Sequence, residues 1–166
     1  MYPFVLALSH PQLSLYEPTL SFNFLFLLSI ENDFKEINGG AWEEKTPEQI
    51  LELYKDDYTL WLNNIGLARC TNGENMEEVQ LRALKSLKKL AAQYNGKTIA
   101  ITTHAGVIRA LQCLWQKLPL SEMKNITWVG NASICLVEYD NDEFIPKQIG
   151  YNQHLNTIKT NLPKNI

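Results

Sequence analysis

Three stretches of this 166-residue chain carry side chains whose type and spacing could do chemistry. The most informative is Ile101–Leu111, ITTHAGVIRAL. A short apolar run ending in Thr-Thr-His and passing straight into a helical pattern puts His104 at the carboxyl end of a strand, where open α/β sheets bind ligands. The helix start points free backbone N–H groups and a positive dipole end at the same place, which suits an anion such as phosphate. An imidazole there changes charge near neutral pH and adds a donor to an oxyanion. The second stretch, Phe34–Thr46 (FKEINGGAWEEKT), sets Glu36 just before a Gly-Gly bend and an aromatic. That setting can desolvate a carboxyl and suit it to act as a general acid toward a leaving alcohol. The third, Asn72–Arg82 (NGENMEEVQLR), holds Glu74 at a helix start, with Glu78 and Arg82 spaced as an ordinary helical ion pair. Taken singly, each residue has a plainer reading. His104 can merely cap its helix, Glu36 can face solvent, Glu74 can be an N-terminal helix acid, and Glu43 and Glu44 answer to a nearby helix dipole.

The elements that must position these residues are legible in part. Thr46-Pro47-Glu48 is a helix start with a capping threonine, a proline at the first position and an acid in the first turn, and apolar spacing carries that helix to about Leu62. A second helix spans about Met76–Tyr94, with Lys85, Lys88 and Lys89 on its solvated face and Asn95-Gly96 closing it. Thr98–Thr103 is a short buried strand, and Val107–Leu118 a helix. Ser133–Tyr139 and Phe144–Ile149 are strands joined by a turn at Asp140–Asp142. Helices alternating with single apolar strands predict an α/β layered sheet in one domain, with a polar, loose tail over 151–166.

Composition narrows the partners. A net charge of −3 and a pI near 5.6 argue against a bulk nucleic-acid binder. Cys70, Cys113 and Cys135 are solitary, suit a reducing cytoplasm, and read as small core residues. The apolar run Leu20–Ile30 is too short to span a bilayer and reads as buried chain, so no membrane partner is expected. No Lys or Arg precedes Lys35, and Glu17 is the single charge in the first thirty residues.

Together the three stretches resemble the histidine phosphatase superfamily, in its phosphoglycerate-mutase-like branch, and especially small bacterial phosphatases such as alpha-ribazole phosphatase. Phe34, Glu36, Ile37, Gly40, Trp42, Glu43, Lys45 and Thr46 match the family's Leu-x-Glu-Ile-x-x-Gly-x-Trp-Glu-Gly-Lys-Thr segment, with Glu44 where a glycine is usual. Gly73, Glu74, Glu78, Val79 and Arg82 match its Gly-Glu-Ser…Glu-Val…Arg segment, with Asn75 replacing the serine. Thr103, His104, Gly106, Ile108 and Arg109 match Val-Thr-His-Gly-Gly-x-Ile-Arg, and Asn131–Ile134 resembles the Asn-x-Ser that opens a later core strand.

The resemblance implies a three-layer α/β/α sandwich of the phosphoglycerate-mutase type. It also implies a two-step phosphoryl transfer through a phosphohistidine, with no metal or organic cofactor. By motif, Glu36 corresponds to the proton donor and His104 to the second, phosphate-contacting histidine. Thr103, Ala105 and Glu74 are the further expected substrate contacts. The substrate would be a small phosphorylated metabolite, or the ligand inorganic phosphate. The family's opening strand running into Arg-His-Gly, which carries the nucleophile, has no counterpart in the sequence, whose histidines are His10, His104 and His154. Ser9-His10-Pro11 and Tyr16-Glu17 align instead with a later Ser-Ser-Pro-Leu-x-Arg-Ala-x-Glu-Thr segment, in which Ser14 takes an arginine's place. The expectation is therefore an N-terminally truncated domain lacking its first βα unit. It has negligible turnover as it stands, or serves as a catalytically dead phosphate-binding or interaction module. Loss of a central strand would leave exposed sheet edges.

Overall fold

The computed structural model describes Phe4–Ser9 and residues 29–156. Its sheet has four strands, β1 (Phe4–Ser9), β2 (Ile99–Thr103), β3 (Ile134–Asp140) and β4 (Glu143–Tyr151), in the order β2-β1-β3-β4. Strand β1 lies between β2 and β3, antiparallel to the first and parallel to the second. The sheet therefore has a middle strand, and β2 and β3 are each paired to it. Strands β3 and β4 form a hairpin whose two turn residues, Asn141 and Asp142, both adopt positive φ, the twist that matches flanking strands.

Four α-helices lie among the described residues: α1 (Pro47–Leu53), α2 (Lys55–Asn63), α3 (Met76–Gln93) and α4 (Ala105–Trp115). The predicted helix from Thr46 starts as expected, with a reciprocal capping box between Thr46 and Gln49. It does not run unbroken to Leu62, because Tyr54 leaves helical geometry at φ −134° and ψ 46° and splits it into α1 and α2. Helix α3 begins at an Asn75–Glu78 capping box, so asparagine does at this position what the family's serine would do. Helix α4 starts two residues earlier than periodicity alone places it, directly after His104.

The core lies between the sheet and the α3–α4 pair. Val79, Ala83, Leu87 and Leu90 of α3 meet Val107, Ile108 and Leu111 of α4 over Ile101, Cys135 and Val137 of the strands. A smaller cluster holds Trp42, Ile50 and Cys70, with Tyr58 and Trp61 edge-on to the Trp42 ring at 5.5 Å. All three cysteines are buried and unpaired, and burial pushes the Cys70 thiol up to about 12. The α/β class is the one expected. Of the run Leu20–Ile30, residues 20–28 lie outside the described chain, while Ile30 is 89% exposed rather than buried. At the other end β4 reaches Tyr151, and His154 Nε2 sits 3.1 Å from the Ala132 carbonyl. Among the described residues no helix is long and apolar enough to cross a membrane.

Candidate active site

Glu36 sits on a stretch of irregular backbone that other elements hold in place. Four successive carbonyls, those of Asp33, Phe34, Lys35 and Glu36, accept hydrogen bonds from only two side chains. Thr103 Oγ1, at the end of β2, donates to Phe34 O at 2.7 Å. Arg82, on α3, donates through Nη1 to Asp33 O (2.6 Å) and Lys35 O (2.8 Å), and through Nη2 to Glu36 O (3.2 Å). The rest of the guanidinium grips Glu74, Nε to Oε1 at 2.8 Å and Nη2 to Oε2 at 3.1 Å. Glu74 Oε2 also accepts from the Asn38 N–H at 2.8 Å. Burial alone would raise the Glu74 pKa. The Arg82 and Asn38 hydrogen bonds outweigh it and hold the carboxyl below the usual glutamate value. Ser86 adds a 2.7 Å bond to the Asp33 carboxylate.

The loops flanking this stretch pass in backbone contact. Ala41 N donates to Thr71 O (2.8 Å) and Glu74 N to Asn38 O (2.9 Å). Gly40, at φ +56°, leaves no space for a side chain: a Cβ there would lie 2.5 Å from Thr71 O, Asn72 C and Gly73 N. Trp42 is turned into the small cluster and donates its Nε1–H to Thr71 Oγ1 at 3.0 Å. What lies against the Glu36 carboxylate is the first turn of α4. A Cβ on Gly106 would come within 2.5 Å of Glu36 Oε1, which also accepts from Ile37 N at 3.0 Å.

His104 is the N-cap residue of α4, in extended geometry, and its side chain makes no capping bond. Its Nδ1 is buried with no hydrogen-bond partner among the described residues. The first intrahelical bond of α4 is Ile108 N to His104 O, which leaves the N–H groups of Ala105, Gly106 and Val107 without an intrahelical acceptor. A half-buried carboxylate thus lies against the N-terminal turn of α4, which a half-buried imidazole with an unpartnered, buried Nδ1 precedes at the carboxyl end of β2. Such a group can hold an oxyanion and offer a proton to an adjacent oxygen.

Residues 25–152 match the sequence model of the histidine phosphatase superfamily (branch 1). This chain belongs to that superfamily. Phosphoserine phosphatase 1 of Hydrogenobacter thermophilus is 22% identical over 125 residues, covering 75% of this chain and 59% of that protein. A second protein of the same organism, provisionally named phosphoserine phosphatase 2, is 26% identical over 137 residues, covering 81% of this chain and 66% of its own length. Among solved structures, Bacillus stearothermophilus YhfR superposes with a TM-score of 0.72 at 25% identity, over 76% of this chain and 62% of that one. The alpha-ribazole phosphatase of Shigella flexneri shares the fold, with a TM-score of 0.57 at 17% identity over 73% of this chain and 59% of its own. The chain therefore spans less than two thirds of the length of the relatives it matches.

Within the histidine phosphatase fold, the Glu36 carboxylate lies against Gly106, two residues past His104 in the first turn of α4. Thr103 and Glu74, expected to contact substrate, have their side-chain oxygens engaged in holding the Glu36 stretch, as described. The anticipated Glu78–Arg82 pair does not form. Glu78 instead takes Arg69 in a two-pronged contact at 2.7 and 3.0 Å, freeing Arg82 for Glu74. Glu44, where the family usually has glycine, stands at φ +62°, which explains the family's choice sterically. Asn131–Ser133 turns into β3 with Ala132 at φ +54°.

Of the other histidines, His10 lies outside the described residues. The strand leading to it runs away from the site, since Phe4 pairs with Thr103 and Leu8 with Ile99. His154 bonds the Ala132 carbonyl and stacks on Tyr151. Sequence reasoning gave Arg109 only a motif match. It is buried, donates to Ile126 O (3.0 Å) and Lys124 O (3.3 Å), and lies 4.3 Å from the Trp128 ring centroid, anchoring the loop before β3. Burial pulls its pKa below the ordinary arginine value.

Proposed function

We propose that this domain binds the phosphoryl group of a small phosphomonoester at the N-terminus of α4. Glu36 is the acid placed to protonate a leaving oxygen. His104, with the Ala105 N–H and the backbone at Thr103, contacts the phosphoryl oxygens. The observation that carries the reading is the contact of the Glu36 carboxylate with the first turn of α4, the helix that follows His104, whose buried Nδ1 has no hydrogen-bond partner among the described residues. Family membership supports a phosphorylated ligand. The names of the Hydrogenobacter relatives make phosphoserine a reasonable first compound to test. Three buried, unpaired thiols favour the cytoplasm as its compartment.

Turnover by this chain alone is proposed to be negligible, because the sequence contains no Arg-His-Gly to carry a nucleophile. Binding without turnover is the expected outcome. Calorimetry with inorganic phosphate should show saturable binding that His104→Ala weakens, while para-nitrophenyl phosphate is not hydrolysed above background. Robust hydrolysis abolished by His10→Ala would overturn the inactivity. Absence of phosphate binding would overturn the site.

A further inference from the structure

We infer that Arg82 is the positioning residue for Glu36, acting with Glu74 as its counter-ion. The inference rests on reading Glu36 as the acid of the site. It goes beyond that reading by assigning how the acid is placed.

Arg82 has five N–H donors, and the structure uses them in five contacts: two to the Glu74 carboxylate and three to the carbonyls of Asp33, Lys35 and Glu36. Only a planar fork can serve a carboxylate on one edge and a curled backbone on the others. The side chains of Arg82 and Glu74 are 14% and 20% exposed, so water competes little for these bonds. A carbonyl of Glu36 itself is among the acceptors, and the remaining Phe34 carbonyl is taken by Thr103 from the strand that leads to His104. The acid's backbone is thereby tied to α3 and to β2, the element that delivers the second half of the site. Glu74 orients the fork, and its own place is fixed by the Asn38 N–H just beyond Glu36. Neither Arg82 nor Glu74 needs to touch ligand for this role.

The test is nuclear magnetic resonance on the full chain. The Ile37 N–H bonds Glu36 Oε1 at 3.0 Å, so its amide shift reports where that carboxylate sits. In Arg82→Lys, which keeps the charge but not the fork, the Ile37 amide resonance should move from its parent position by more than any amide of β3 or β4. Amide exchange at Phe34–Ile37 should accelerate about tenfold or more, as expected for losing a charge-assisted hydrogen bond. Exchange in β3 and β4 should stay as in the parent. Glu74→Gln should give the same local signature, weaker. An unchanged Ile37 shift and unchanged exchange in folded Arg82→Lys overturns the assignment. So does protection lost uniformly through β3 and β4, or a failure to fold, which would make Arg82 a general stability residue. A parallel titration with inorganic phosphate separates the two claims. If the amides of Ala105 and Gly106 in the parent do not respond, the binding site fails, whereas the Ile37 readout still decides the role of Arg82.

Discussion

Replacing Gly40 with alanine should cost this domain about 2–3 kcal/mol, and the figure can be worked from two separate terms. The first is conformational. Gly40 sits at φ +56°, where a Cβ meets its own following carbonyl at a cost of roughly 1–2 kcal/mol. Alanine's lower unfolded-state entropy returns about 0.4–1 kcal/mol of it. The second is contact. The new Cβ would lie 2.5 Å from Thr71 O, Asn72 C and Gly73 N, all backbone atoms with no rotamer to change. The two loops must part, which stretches the Ala41 N–Thr71 O and Glu74 N–Asn38 O bonds, each worth about 1 kcal/mol net. Gly96 isolates the first term, because it has φ +73° and nothing within 4 Å of a built Cβ. Urea denaturation followed by circular dichroism should show Gly96→Ala losing about 1 kcal/mol or less. Gly40→Ala should lose two to three times that, with a melting temperature roughly 4–12 °C below the parent. Equal losses in the two variants would refute the reasoning, since they would show that the loop contact carries no energy.

Glu44→Gly should act in the opposite sense and stabilise by up to about 1 kcal/mol, because Glu44 holds φ +62° at an exposed position; a lower urea midpoint would contradict it. Gly106→Ala should leave stability within about 1 kcal/mol of the parent, since helix propensity favours alanine and the opposing atom is the mobile end of a side chain. It should nevertheless force Glu36 Oε1 back by roughly 0.8 Å to an ordinary C···O distance, visible as a changed Ile37 amide shift. Glu74 titrates below its ordinary 4.5 in the folded state, so its stabilisation is complete above that pH and is lost as pH falls through the lower folded value. Urea midpoints measured from pH 6 down to 3 should decline, and Glu74→Gln should flatten that decline while costing about 1.5–3 kcal/mol at pH 7. The Cys70 thiol, pushed up to about 12 by burial, should resist a thiol reagent at pH 8 until the protein is unfolded; rapid labelling of native protein would argue against the packing described.

The parts of the fold that were legible in the sequence are those set within a few residues. Thr46-Pro47, Asn95-Gly96 and Asp140–Asp142 act on their own neighbours, and the structure has a helix start, a helix end and a hairpin turn at those places. The break at Tyr54 was not legible, because apolar spacing continues across it and the helix splits where Tyr58 and Trp61 turn toward Trp42. The partner of Glu78 was not legible either. Helical spacing proposes Arg82, yet a folded loop brings Arg69 within 2.7 Å and leaves Arg82 to another carboxylate.

By itself the sequence determined which residues could carry chemistry, Glu36 and His104, and the family to which they belong. It did so because residue type and order survive without any knowledge of distance. Tertiary structure alone decided what holds them. Arg82 reaches carbonyls 46 to 49 positions away, Thr103 reaches one 69 positions away, and β1 enters the sheet antiparallel to β2. Each of those contacts ends on a backbone group, which every residue possesses alike. No pattern of side chains along the chain could have announced them.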